Sequence, residues 1–239
     1  MVSSLARQRK QILERQANPS APEKVSGADT DSLHIKLIEF EEDRKHLKGF
    51  NAIADRVEHK RSVLVPKYKP YIEKYLEDGD VYSNPIFSDM IVWLFDIQEL
   101  ELAIDWCFKA IDLGLPLPEG WRRKDWGTVC ADFVLQWAEK ESAEGRSVEP
   151  YFSQVFEKIE KDWRLHEEVH AKWFKFAGLH LIRNEEGKPL ASSVGCVETL
   201  QKALVLLEHA DDKSEKAQVK THINKINSRI NALQEGKNL

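Results

Sequence analysis

One motif in the sequence has the residue types and spacing of a catalytic site. It is the H-E-x-x-H run from His166 to His170. On a helix these two histidines would lie one turn apart on one face, where they can bind zinc while Glu167 acts as a general base. A catalytic zinc also needs a third protein ligand, and no other residue stands at a spacing that identifies one. We therefore expect no metal site, and we keep a metal-dependent hydrolase that uses this motif as an alternative function.

Other catalytic chemistry has little support in the sequence. The chain lacks a G-x-x-x-x-G-K-[ST] phosphate loop, so it has no visible means of hydrolysing ATP. Its acidic clusters, at 41–43, 139–144 and 211–212, are expected at helix ends and on exposed faces, whereas a two-metal nuclease gathers carboxylates from several elements. Asp211 and Asp212 are predicted to begin a helix, where the helix dipole stabilises them without a metal. We expect no catalytic residue and no cofactor.

Clusters of basic residues offer a second kind of chemistry, which is the binding of phosphate. Between residues 60 and 71 cations alternate with tyrosines, and a second basic cluster follows the proline-containing connector 115–118. Lys and Arg can neutralise DNA phosphates, and tyrosines can stack or form hydrogen bonds. The alternative is that the tyrosines fill the core while the lysines face water. The candidate DNA contacts are Arg7, Arg9, Lys10, Lys60, Arg61, Lys67, Lys69, Arg122, Arg123 and Lys124.

The composition is typical of a cytosolic globular protein. The chain has 239 residues and a net charge of −5, so any nucleic-acid contact must come from a local basic patch. Its longest strongly apolar run, Met90 to Phe95, is far shorter than the ~20 residues of a membrane span. Residues 1–15 lack the apolar region of a signal peptide, and the three cysteines form no CxxC pair. We predict a cytoplasmic protein with no membrane partner.

A long amphipathic helix is predicted near the N-terminus. Residues 17–28 have the composition of a linker that follows a basic arm. Between residues 29 and 62 there is no proline, and the only glycine is Gly49. Apolar residues recur there in steps of three, four and seven, which predicts one helical stripe. Such a helix can fold onto its own domain or pack against a copy of itself, and we favour oligomerisation. The candidate oligomerisation residues are Leu33, Leu37, Phe40, Leu47, Phe50, Ile53 and Val57.

Proline and glycine mark several boundaries in the remaining chain. Pro66 and Pro70 are expected to break or restart the helix. Asn84-Pro85 has the chemistry of a helix start, with a capping side chain followed by proline in the first turn. Gly114 is predicted to lie just past the end of a helix.

The predicted fold class is all-α, a long N-terminal oligomerisation helix followed by a multi-helix bundle. No stretch alternates polar and apolar residues for long enough to predict a strand. Small residues on the apolar faces of 98–113 and 194–208 resemble those of tetratricopeptide hairpins. The predicted domains are a basic arm and linker (1–28), the long helix (29–64), a central helical domain (65–145) and a C-terminal helical hairpin domain (146–239).

Several motifs between residues 30 and 235 follow a family pattern. They are Lys36-Leu37, Asp43-Arg44 and Leu47-Lys48 in the long helix, Lys60-Arg61 before the two prolines, Asp89-Met-Ile-Val-Trp93-Leu-Phe-Asp96, Leu102-Ala103-Ile104, Ala110-Ile-Asp-Leu-Gly114-Leu-Pro-Leu-Pro118, Arg122-Arg123, and Ala203-Leu204 through Val219-Lys220. Together they resemble the small terminase subunit of temperate, contractile-tailed phages of the peduovirus type. Residues 140–195 match poorly, and the chain lacks the strongly basic C-terminal tail of some members.

The resemblance implies a role in viral DNA packaging, in the cytoplasm of an infected bacterium. Such small subunits form oligomeric rings, bind the viral packaging site and recruit a large subunit that carries ATPase and nuclease domains. The expected partners are double-stranded viral DNA, the terminase large subunit and further copies of the chain. The family is often labelled an endonuclease subunit, but these residues supply no nuclease centre, so we assign cleavage to the complex. A helical adaptor that binds partner proteins without DNA is the alternative function.

Overall fold

The predicted all-α class is confirmed by the computed structural model, which describes residues 27–79 and 82–237. Within these ranges there is no β-strand, only an isolated bridge between Arg183 and Pro189. The chain divides into two compact units, Met1–Asn51 and Ala52–Leu239. In order, the helices are α1 (Gly27–Lys48), α2 (Ile53–His59), α3 (Val65–Asp78), α4 (Pro85–Asp96), α5 (Leu100–Asp112), α6 (Trp126–Ala143), α7 (Tyr151–Lys161), α8 (Glu167–Leu181), α9 (Val197–Lys213) and α10 (Lys220–Gln234).

The single helix predicted over residues 30–62 is interrupted. Helix α1 ends at Lys48, and the Gly49 amide donates to the His46 carbonyl in a turn before α2 begins at Ile53. Glycine costs about 1 kcal/mol relative to alanine inside a helix, and the basic residues Lys45 and Lys48 favour a C-terminus at this point. The sequence showed the glycine, but its apolar stripe continued past it.

The expected break at Pro66 and Pro70 is also wrong, because the chain remains helical from Ile53 to Asp78. Between α2 and α3 lies a π-helical turn, Lys60–Leu64, in which the Val65 amide donates to the Lys60 carbonyl five residues earlier. Pro66 then falls in the first turn of α3, where its missing N–H is least costly, and Pro70 is tolerated inside the helix. The wider turn supplies the local adjustment that a proline requires in a continuing helix.

Helix α4 forms the centre of the Ala52–Leu239 unit. All ten residues from Ile86 to Phe95 are buried, and a helix that is buried on every side must lie inside the bundle. It packs against α3 and α5. The predicted start at Asn84-Pro85 is confirmed, since the Asn84 Oδ1 accepts from the Ile86 amide at 3.1 Å and from the Phe87 amide at 3.4 Å.

The connector between α5 and α6 is fastened at several points. The Ser88 hydroxyl donates to the Pro116 carbonyl at 2.9 Å, and the Trp126 Nε1 donates to the Leu115 carbonyl at 3.1 Å. At the far end, the Asp125 Oδ1 accepts from the Thr128 amide at 2.6 Å and caps α6. These contacts hold in place the connector that carries the basic residues 122–124.

Helices α8 and α9 pack closely against each other at Gly178. A Cβ atom added to Gly178 would lie 2.8 Å from the Leu207 Cγ and 3.0 Å from the Ala203 carbonyl oxygen. Helix α9 extends to Lys213, so Asp211 and Asp212 lie in its last turn and do not begin a helix as predicted. The buried stripe that continues to Ala210 explains why the helix runs on. The tetratricopeptide-like hairpins are not confirmed.

Candidate nucleic-acid interface

The first two cations of the basic segment 60–69 have partners within the protein. The Lys60 Nζ lies 2.5 Å from the Asp96 Oδ2, and the Arg61 Nη2 donates to the Ile97 carbonyl at 2.8 Å. Both bonds fasten the π turn to the C-terminal end of α4. An ion pair already balances the Lys60 charge, so this lysine is less available to a phosphate than a cation without a partner.

The next two cations of this segment lie on helix α3. The Lys67 Nζ lies 5.2 Å from the centre of the Tyr68 ring, and the Lys69 Nζ lies 3.7 Å from the Glu73 Oε1. Tyr68 is fully buried and Tyr71 is half-buried, so Tyr68 fills the core, as the alternative interpretation expected. Of the four cations, Arg61 and Lys67 are exposed.

The second basic cluster is more accessible. Arg122, Arg123 and Lys124 are all exposed and lie in the connector just before the Asp125 cap. Arg123 forms an ion pair with Asp132 at 2.6 Å. Arg122 and Lys124 form no ion pair or hydrogen bond within the part of the chain that the structure describes. The remaining candidates, Arg7, Arg9 and Lys10, lie outside the described residues.

The candidate oligomerisation residues differ widely in exposure. Phe40 and Leu47 are buried, whereas Ile53 is 77% exposed. The other four, Leu33, Leu37, Phe50 and Val57, are half-buried. Ile35 and Ile38, which were not among the predicted oligomerisation residues, are 63% and 51% exposed on helix α1. Their spacing of three residues on a helix was the signal that could have identified them, but they lie beside the stripe that the periodicity selected.

The H-E-x-x-H run does not place both histidines on one helix. His166 is the N-cap of α8, and its Nδ1 accepts from the Glu168 amide at 3.3 Å. His170 lies inside the helix with its ring stacked on Phe174 and 5.4 Å from the ring of His209. Burial, followed by the nearby His209, lowers the pKa of His170. Within residues 27–79 and 82–237, no group of three or more His, Cys, Asp or Glu residues could hold a metal ion.

Comparison with known proteins explains the pattern of motifs. Residues 37–168 match the phage small terminase subunit family. Over 196 residues the chain is 37% identical to a protein of Haemophilus phage HP1 (strain HP1c1) called "Probable terminase, endonuclease subunit". That alignment covers 82% of this chain and 69% of the phage HP1 protein. The chain belongs to the phage small terminase subunit family. The resemblance inferred from the sequence motifs is thus confirmed. No solved structure matches the chain.

The matched region maps onto the structure in a simple way. It begins within α1, includes both basic clusters, 60–69 and 122–124, and ends in the first turn of α8. Helices α9 and α10 of this small terminase subunit therefore lie beyond it. None of the described helices is both long enough and apolar enough to span a membrane.

Proposed function

We propose that this small terminase subunit assembles into an oligomer and binds double-stranded viral DNA through exposed cations. The oligomer recruits the large terminase subunit, which cuts and packages the genome. The proposal of a DNA contact rests on one observation. Arg122 and Lys124 are exposed and have no partner within the described chain. Their phosphate contact would be independent of base sequence and would weaken with salt.

The connector that carries these residues supports their role. It is fastened by the Trp126–Leu115 and Ser88–Pro116 hydrogen bonds on one side and by the Asp125 cap on the other. A connector whose backbone is already held in place loses less conformational entropy when its cations meet a phosphate than a mobile segment does. A net charge of −5 for the chain makes such a local cluster necessary, and several copies in an oligomer would add their clusters together.

Fluorescence anisotropy with a duplex that carries the viral packaging site tests the DNA contact. We compare the wild type with Arg122→Gln/Lys124→Gln and with the control Lys140→Gln/Lys202→Gln, which removes two exposed cations from helices α6 and α9. Log affinity falls linearly with log salt concentration, and loss of two phosphate contacts makes that fall shallower. The magnitude of the slope should decrease by about 1.8 for each copy that contacts the DNA. The control pair should retain the wild-type slope.

Equal slopes for the two double variants would contradict a DNA contact at residues 122–124. Partner binding that is insensitive to salt, with no binding to the duplex, would instead favour the helical adaptor.

The exposed isoleucines of α1 support assembly. Ile35 and Ile38 lie one turn apart, and burial of an isoleucine side chain contributes about 1.5–3 kcal/mol. We therefore expect Ile35→Gln/Ile38→Gln to shift native mass spectra from an oligomer towards the monomer. Val205→Gln, at a residue that is 65% exposed on α9, is the matched control and should leave the oligomer intact. A wild-type chain that stays monomeric would refute this part of the proposal.

A further inference from the structure

A cleft of about 820 Å³ lies between helix α10 and the loop at residues 189–192. The helix lines it with Thr221, Lys225, Ser228 and Ala232. Their spacing of four, three and four residues places them on one face of the helix. The volume is within the range of clefts that hold a small organic ligand. The cleft lies outside residues 37–168 and contains none of the cations proposed above to contact DNA.

The charges that line this cleft have one sign. Lys225 and Arg229 line it, and no carboxylate does so among the described residues. Helix α10 has no Asp or Glu anywhere in its sequence. Lys225 forms no ion pair or hydrogen bond within the described ranges. His222 also lines the cleft, and its pKa is lowered first by burial and then by the charges of Lys225 and Lys175. The Lys225 ammonium, which no carboxylate of the cleft lining balances, attracts an anion.

The walls of the cleft are held in place by hydrogen bonds. The Leu190 amide donates to the Ile182 carbonyl at 2.8 Å, which ties the loop to the end of α8. The Arg229 Nε donates to the Val194 carbonyl at 3.0 Å, which ties helix α10 to the chain that follows the loop. A binding site with walls of this kind is largely formed before a ligand arrives, which reduces the entropy lost on binding.

The types of side chain indicate the chemical class of the ligand. The hydroxyls of Ser192 and Thr221 can donate hydrogen bonds to phosphate oxygens beside the Lys225 ammonium. The Ser228 hydroxyl already donates to the Asn224 carbonyl at 2.9 Å, so its oxygen is only an acceptor in the cleft. Leu190 and Ala232 supply an apolar wall for a flat group. We propose that this cleft binds a nucleotide, with its phosphate on Lys225 and its base against the apolar wall. The nucleotide is either free or part of a DNA strand.

Isothermal titration of the full chain with ATP, inorganic phosphate and a short single-stranded oligothymidylate tests this site. Lys225→Gln removes the principal cation, so ATP affinity should fall about tenfold with the loss of a charge-assisted hydrogen bond. Lys202→Gln removes an exposed cation from α9, outside the cleft, and should change ATP affinity less than about twofold. Circular dichroism confirms that both variants fold.

The probes also distinguish the two sources of the nucleotide. Saturable ATP binding that depends on Lys225 identifies a free nucleotide, and binding of the oligothymidylate alone, again dependent on Lys225, identifies a strand. The proposal is overturned if inorganic phosphate binds as tightly as ATP, if neither nucleotide probe binds, or if Lys225→Gln binds both as the wild type does. Because the readout depends on Lys225, failure here leaves the DNA contact at residues 122–124 unaffected.

Discussion

Replacement of Gly178 by alanine measures how closely α8 and α9 pack. In an exposed helix this change would stabilise the protein by about 1 kcal/mol, because alanine has the higher helix propensity. Here the added Cβ would lie 2.8 Å from the Leu207 Cγ and 2.9 Å from its Cδ2. It would also lie 3.0 Å from the Ala203 carbonyl oxygen, which cannot move without a shift of α9.

The steric cost should exceed the gain in propensity. Overpacking of a well-packed core costs about 1–3 kcal/mol, and Leu207 is fully buried, so it has little room to move. A separation of 2.8 Å places this cost in the upper part of that range, at about 2–3 kcal/mol. After a propensity gain of about 1 kcal/mol is subtracted, we expect Gly178→Ala to lower the free energy of unfolding by about 1–2 kcal/mol. Urea unfolding followed by far-UV circular dichroism measures this difference as a lower midpoint at unchanged slope.

A double-mutant cycle isolates the contact. Leu207→Ala alone should cost about 2–5 kcal/mol because it leaves a cavity. Combined with Gly178→Ala it should cost less than the sum of the two, since the new methyl group then enters that cavity. Gly195→Ala, outside any helix, is the control for steric contact alone, because its added Cβ would have no described atom within 4 Å. A Gly178→Ala variant as stable as the wild type would refute the inferred steric limit.

Three further predictions concern stability. Asn84→Ala should lower the free energy of unfolding by about 1–2 kcal/mol, measured by urea unfolding, because the cap of buried α4 is lost. Trp126→Phe should cost about 1 kcal/mol in the same assay and should weaken DNA binding, since the connector loses its bond to the Leu115 carbonyl. Burial is the first cause of the lowered pKa values of His170, His180 and His222. Their contribution to stability is therefore complete above the unfolded pKa of about 6.5 and is lost as pH falls through the folded values. The urea midpoint should drop on acidification below that pH, and a midpoint that rises would contradict the inferred burial.

Some helix boundaries are determined by residues close in sequence, and others are determined by tertiary packing. Asn84-Pro85 was predicted correctly because the capping side chain and the proline act within one turn. Gly114 has a φ of 63° just past α5, as a glycine that ends a helix should. The helix that continues through Pro66 was not predictable, because its continuation depends on a π turn fastened by Asp96 and Ile97, far away in sequence.

The candidate site shows the same division. That Arg122 and Lys124 are exposed follows from their place in the connector, between its prolines and the Asp125 helix cap. That Lys60 pairs with Asp96 does not follow from the sequence, because the two residues are 36 positions apart. The sequence also did not reveal that His166 caps helix α8. The H-E-x-x-H pattern is the same whether the helix begins before His166 or after it.

The π turn at residues 60–64 determines which way the preceding helix presents its side chains. A π turn contains one residue more than an α turn, and each residue of a helix rotates the chain by about 100°. Deletion of one residue there would rotate Ile53 and its neighbours around the helix axis while Tyr68 and Ile72 stayed in the core. Related chains that differ by one residue at this turn would therefore direct a different set of side chains outward, even with the same sequence on either side.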